Sequence, residues 1–248
     1  LILIGILHQS FKDYANPLIQ KDQKDFDKVH GRFKDIQIDL TSSEQLELIA
    51  ATLSSNNVSE HRREISNKTF ELLLELNRSP NDQTVSLLNR CWPLNPITAL
   101  SLGPISKKSY GQNQRSIFNF LASGEPLALK DFLSRKSLED EWLYSLSNFW
   151  DYLDINWGSS IAVSNDSHHF ASVKDALLRL ASFDDLRQEY EDVLKAISII
   201  DLTTQTTGIR ASSKAIEIAL DSTPEKIRKA TDYLTEKSLI IFRKHKDS

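Results

Sequence analysis

Apolar residues recur at three- and four-residue spacing over most of this 248-residue chain, the period of a helix with one buried face. In TSSEQLELIAATL (41–53) Leu46, Ile49 and Leu53 share a face, and Thr41 stands three residues before Glu44, the spacing of a capping box. Residues 69–76 are strongly apolar, and SPNDQTVSLLNR (79–90) reads as a turn, a cap and a helix. NQRSIFNFL (113–121), LALKDFLSRK (127–136), LEDEWLYSLSNFWDYL (138–153), ASVKDALLRLASF (171–183) and LRQEYEDVLKAISII (186–200) each predict a further helix. In the first of these Ile117, Phe118 and Leu121 mark the buried face. The polar segment 158–169 predicts the longest loop. DLTTQTTGIRAS (201–212), rich in threonine and holding Gly208, predicts a domain boundary.

The pattern changes at the two ends. LILIG (1–5) is an apolar run closed by a glycine, as a strand covered on both faces reads. Such strands need neighbours, so the chain is expected to be a piece of something longer. Residues 10–29 are polar with irregular apolar positions and predict a helix interrupted near Pro17. In HGRFKDIQIDL (30–40) Ile36, Ile38 and Leu40 alternate as on a strand. Near the other end, SSKAIEIAL predicts a helix and DSTPEK a turn into the next. Thr223 is placed to cap that next helix, and Pro224 to occupy its first position. Ile227, Ala230, Tyr233 and Leu234 then share a face before SLIIFRKHKDS runs out as a strand with a basic tip. Helix, sharp turn, helix and strand is the order of a winged helix-turn-helix, here expected to be truncated.

Apolar content of 40% and charged content of 26% suit a globular domain with a real core. A formal charge of -4 excludes a broadly basic nucleic-acid binder and leaves room for a local basic patch. One cysteine, Cys91, excludes a disulfide framework and a cysteine metal cluster, and points to a reducing, cytoplasmic compartment. No run of eighteen apolar residues predicts a membrane span, and no signal-peptide pattern opens the chain. Seven glycines suit a mainly helical protein with few tight turns. His168 and His169 are adjacent and lack acids or cysteines at ligand spacing, so they predict no metal site. Cys91 has no evident base partner and reads as structural.

Taken in order, these pieces resemble the second half of an AAA+-type P-loop ATPase module with a winged helix behind it. A strand like LILIG is followed in that superfamily by a polar sensor residue, here His8 in IGILH. An arginine precedes the next strand, here Arg32 in GRFKDIQIDL, and a capped helix like TSSEQLELIAATL opens a helical lid. CWPLNPITAL followed by YGQNQRSIFNFLASGEP is similar to a pair of motifs in the large AAA+/STAND-like bacterial ATPases of phage-defence (BREX-like) systems. The resemblance implies a mainly α chain with an α/β remnant. Residues 1–40 would hold the last strands of a parallel ATPase core, 41–136 a helical lid, 137–200 a helical connector and 201–248 a truncated winged helix.

It also implies ATP and magnesium in the intact parent and a homo-oligomer formed through the ATPase module. The sequence contains no G-x-x-x-x-G-K-[ST] and no acid-tipped apolar strand, so this chain alone is expected not to hydrolyse ATP. Arg32 would be an arginine finger reaching a neighbouring protomer's nucleotide, a role suited to a permanently charged fork; the bland alternative is a solvated arginine at the start of a strand. Arg115 would be a second sensor on the lid, or a helix-surface charge paired with a carboxylate. His8 would orient the attacking water, with Gln9 as fallback, or simply be a satisfied polar group. Pro93 and Asn95 would shape the adenine side of the pocket, or end a helix. Lys226, Arg228 and Lys229, with Arg243 and Lys244 in the wing, would hold DNA phosphates, opposed by Glu225, Asp232 and Glu236; a protein contact fits the same helix. The competing reading is a helical interaction module with a winged helix and no nucleotide chemistry.

Overall fold

The computed structural model describes residues 20–34, 40–53, 59–78, 80–81, 83–111, 114–137, 142–183 and 188–241. The chain falls into two units, Leu1–Thr41 and Ser42–Ser248. In the first, α1 (Gln20–His30) carries Asp22 in its first turn and Lys28 and His30 in its last, which complements the helix dipole. It closes on Gly31, whose amide donates to the Asp27 carbonyl at 2.9 Å. The predicted strand at residues 1–4, the break near Pro17 and the alternating pair Ile36 and Ile38 lie outside the described residues.

The second unit is mainly helical: α2 (Ser42–Leu53), α3 (Glu60–Glu75), α4 (Thr84–Arg90), α5 (Pro96–Ser106), α6 (Gln114–Ala122), α7 (Leu129–Ser134), α8 (Leu146–Ala162), α9 (Ser167–Ala181), α10 (Gln188–Thr207), α11 (Ser213–Leu220) and α12 (Pro224–Glu236). Among the described residues the β pairing is an isolated parallel bridge between Leu94 and Tyr144. Residues 238–241 are a turn and coil, and the rest of the predicted terminal strand lies outside the described residues.

Two helices organise this unit. In α5 every residue but Leu100 is buried, as befits a helix packed on all sides; α2, α3, α4, α6, α8, α10 and α11 surround it. The long α10 carries α8, α9, α11 and α12 along its length. Leu46, Ile49 and Ala50 of α2, Ile97 and Ile105 of α5, Leu153 of α8, Ile199 of α10 and Leu234 of α12 belong to one continuous core. Cys91, fully buried at the end of α4, lies in that core with its sulfur 3.9 Å from the Leu46 carbonyl. Burial pushes its thiol up to about 12.

Three boundaries differ from the sequence pattern, each for a local reason. Of the predicted helix over 138–153, residues 138–141 lie outside the described residues, 142–145 are not helical, and α8 starts at Leu146 because Ser145 and Asn148 form a capping box: the Asn148 amide donates to the Ser145 hydroxyl at 3.3 Å and the Ser145 amide to Asn148 Oδ1 at 3.1 Å. The predicted loop 158–169 shrinks to residues 163–166, since α8 runs on to bury Ile161 and α9 starts at Ser167. Residues 201–207, read as part of a boundary, extend α10. There the hydroxyls of Thr203, Thr204 and Thr207 donate to carbonyls one turn back at 2.8–3.0 Å, and Gly208, at φ 76°, ends the helix.

The helices α11 and α12 match their sequence signals closely. Ser212 caps α11 through the Ala215 amide, Asp221 closes α11 in the left-handed region, and Thr223 caps α12 ahead of Pro224. The two helices pack on each other and on α10.

Candidate functional site

Pro93 follows a cis peptide bond from Trp92 and leads into Asn95, the cap of α5. Asn95 is fully buried. Its Oδ1 accepts from the Ile97 amide at 2.9 Å, and its Nδ2 donates to the Ile218 carbonyl on α11 at 2.6 Å. One end of the side chain therefore caps α5 and the other ties it to α11. The void beside Trp92, Leu94 and Pro96 is about 10 Å³, room for about one water molecule. Above it the Arg62 guanidinium lies 3.4 Å from the centre of the Trp92 ring system, and Trp142 stands 6.2 Å away on the flank.

Arg115 occupies the first turn of α6 and is exposed. The opposite side of that helix is locked: Ser116, Ile117, Phe120 and Leu121 are buried. Phe120 meets Tyr144, Phe149 and Tyr152 edge-on at 5.0–5.2 Å between centroids. Phe118, expected on the buried face, is 41% exposed; the aromatic cluster lies on the Phe120 side and sets the rotation of the helix.

The following loop is tied down at each step. The Tyr152 hydroxyl donates to Glu125 at 2.7 Å, the Tyr144 hydroxyl to the Leu127 carbonyl at 2.6 Å, and Asn156 to the Pro126 carbonyl at 2.8 Å. Leu127 sits at φ 59°, and its amide donates to Asp131 at 2.8 Å. That hydrogen bond, aided by Arg135, holds the Asp131 carboxyl below the usual aspartate range. Burial pushes the Tyr144 and Tyr152 phenols upward.

Arg32 lies in the other unit, exposed in the turn that ends α1. His8, Arg243 and Lys244 lie outside the described residues. On α12, Lys226 bridges Glu189 at 3.0 Å. Arg228 and Lys229 are exposed, and so are Glu225, Asp232 and Glu236 on the same helix, which leaves its outer surface mixed in charge. The α11–α12 pair is stitched to α3 by Lys214 to Glu75 at 2.6 Å and by His61 to Asp221 at 2.8 Å.

Two polar clusters escaped the sequence reading, because their members come from different helices. Lys195 of α10 is buried, with its ammonium 2.9 Å from Asp151 of α8 and 3.5 Å from Glu191. Burial raises the Asp151 carboxyl above its usual range, and the Lys195 contact opposes this.

The second cluster lines a cleft of about 890 Å³ walled by α9, α10, α11, α12 and residues 239–241. Val173, Leu194, Ile197, Ile216, Leu239 and Ile240 give it an apolar lining. On its polar side His169 Nε2 is 3.0 Å from both the carbonyl and the hydroxyl oxygen of Ser198. A carbonyl only accepts, so Nε2 carries the proton and cannot take one from the serine hydroxyl. The contact is structural, and Ser198 is not an activated nucleophile. Asp201, one turn on, has its carboxyl raised by burial, opposed by His169. Among the described residues no group of three or more His, Cys, Asp or Glu side chains is placed to hold a metal ion.

Fold and site together define a mainly helical protein whose C-terminal helix pair packs on a long central helix. Comparison with protein-family models, with curated proteins and with solved structures finds no match to the chain. No helix among the described residues is long and apolar enough to cross a membrane.

Proposed function

We propose that this chain is the distal, helical part of an AAA+-like ATP-hydrolysing protein of the phage-defence type, in which Arg115 responds to bound nucleotide. What supports this reading, beside the motif resemblance, is the mounting of Arg115. It is exposed on a helix whose other side is fixed by Phe120 against three aromatic rings. A rigid helix fixes where the arginine side chain starts, and its planar fork suits a phosphate. In this reading Arg32 contacts the nucleotide of a neighbouring protomer, and His8 orients the attacking water. The strands of residues 1–40 complete a parallel sheet, ATP and magnesium are held by a phosphate loop and acids in the same polypeptide, and 201–248 is a winged helix. Asn95 serves through the fold, since its amide is committed to α5 and α11.

The test is phosphate release from ATP, measured on the 248-residue chain and on a longer product of the same gene carrying a phosphate loop. The chain alone should release none. In the longer protein Arg115→Ala should lower turnover at least tenfold without changing the melting temperature. Turnover by the chain alone, or an unchanged rate in the variant, sinks the proposal.

A second reading is a helical interaction module without nucleotide chemistry, favoured by the apolar-lined cleft between α9 and α12. The same experiment separates the two. A gene product with no phosphate loop and no affinity for ATP leaves the module.

A further inference from the structure

We draw no further inference here: the strongest candidate, the apolar-lined cleft walled by α9, α10, α11 and α12 with the His169–Ser198 contact on its polar side, carries nothing because the imidazole proton is committed to a backbone carbonyl and nothing in the structure shows what covers the apolar lining.

Discussion

Asn95 and Ile218 are 123 positions apart in sequence and joined by a 2.6 Å hydrogen bond, side-chain amide to backbone carbonyl. The same asparagine caps α5, so one side chain sets the start of the buried helix and its distance from α11. Asn95→Ala removes both bonds, leaves the buried Ile97 amide uncapped and leaves the Ile218 carbonyl with the Asp221 amide at 3.3 Å. The expected loss is about 2–4 kcal/mol, read as a lower urea midpoint with an unchanged slope. Loss of equal size with and without ATP is the outcome for a residue that acts through the fold; a loss seen only in nucleotide affinity would contradict this.

Gly103 of α5 faces Gln45 of α2. A methyl added at Gly103 would overlap the Gln45 amide oxygen and lie 2.7 Å from its Cδ. Gln45 is buried, so its amide can yield only within the core. Alanine favours a helix over glycine by about 1 kcal/mol, and the overlap should outweigh this to give a net loss of about 1–2 kcal/mol. In a Gln45→Ala background the same Gly103→Ala change should become neutral or stabilising. A double-mutant cycle from chemical denaturation measures the difference.

The Lys195–Asp151 pair predicts an asymmetry. Asp151→Asn leaves a buried ammonium with Glu191 alone and should cost about 2 kcal/mol. Lys195→Met strands the Asp151 carboxylate instead, but that side chain is 35% exposed against 8% for Lys195 and can take up a proton, so the loss should be smaller, about 1 kcal/mol. Thermal melts of the two variants side by side decide it; equal losses would contradict the asymmetry.

Acid should act on Asp131 and Asp151 in opposite senses. The Asp131 carboxyl is depressed below its ordinary 3.8 by the Leu127 amide and by Arg135. Its contribution is therefore present above pH 3.8 and lost as pH falls through the lower folded value. Asp151 is raised above 3.8, chiefly by burial, so its contribution is greatest below 3.8 and lost as pH rises through the higher folded value. Carboxyl carbon NMR titration should find Asp131 titrating below 3.8 and Asp151 above it. The Leu127 amide should exchange faster with solvent once Asp131 is protonated.

At Gly208 the backbone is left-handed, and Arg78 packs over the position a side chain would take. Gly208→Ala should cost about 1–2 kcal/mol and Gly208→Asn less, because asparagine tolerates this region better. Restoration of stability by Arg78→Ala in the alanine variant would show crowding, and not backbone strain, to be the cause.

What was legible in the sequence was local. Thr223 and Pro224 announced α12, and the spacing of Leu46 and Ile49 announced α2, because caps and periodicity act within a few residues. Where two local signals compete, the pattern misleads. The threonines at 203, 204 and 207 suggest a loop until their hydroxyls are seen returning to the helix carbonyls. Phe118 and Phe120 are two apolar neighbours on α6, and only Tyr144, Phe149 and Tyr152 decide which of them faces inward. The fastening of Asn95 to Ile218 and of Lys195 to Asp151 left no trace at the level of spacing, since each joins helices distant in sequence. Arg115 is singled out by motif resemblance alone, and nothing in its own neighbourhood foretells the aromatic contacts on the other side of its helix.

Cys91 gives the protein a built-in reporter. As the chain's one thiol, fully buried against α2 and pushed up to about 12, it is shielded from a thiol-reactive dye while the helices stay closed. Labelling kinetics on the unmodified protein therefore time the opening of its centre, and they do so without engineering a probe into the molecule.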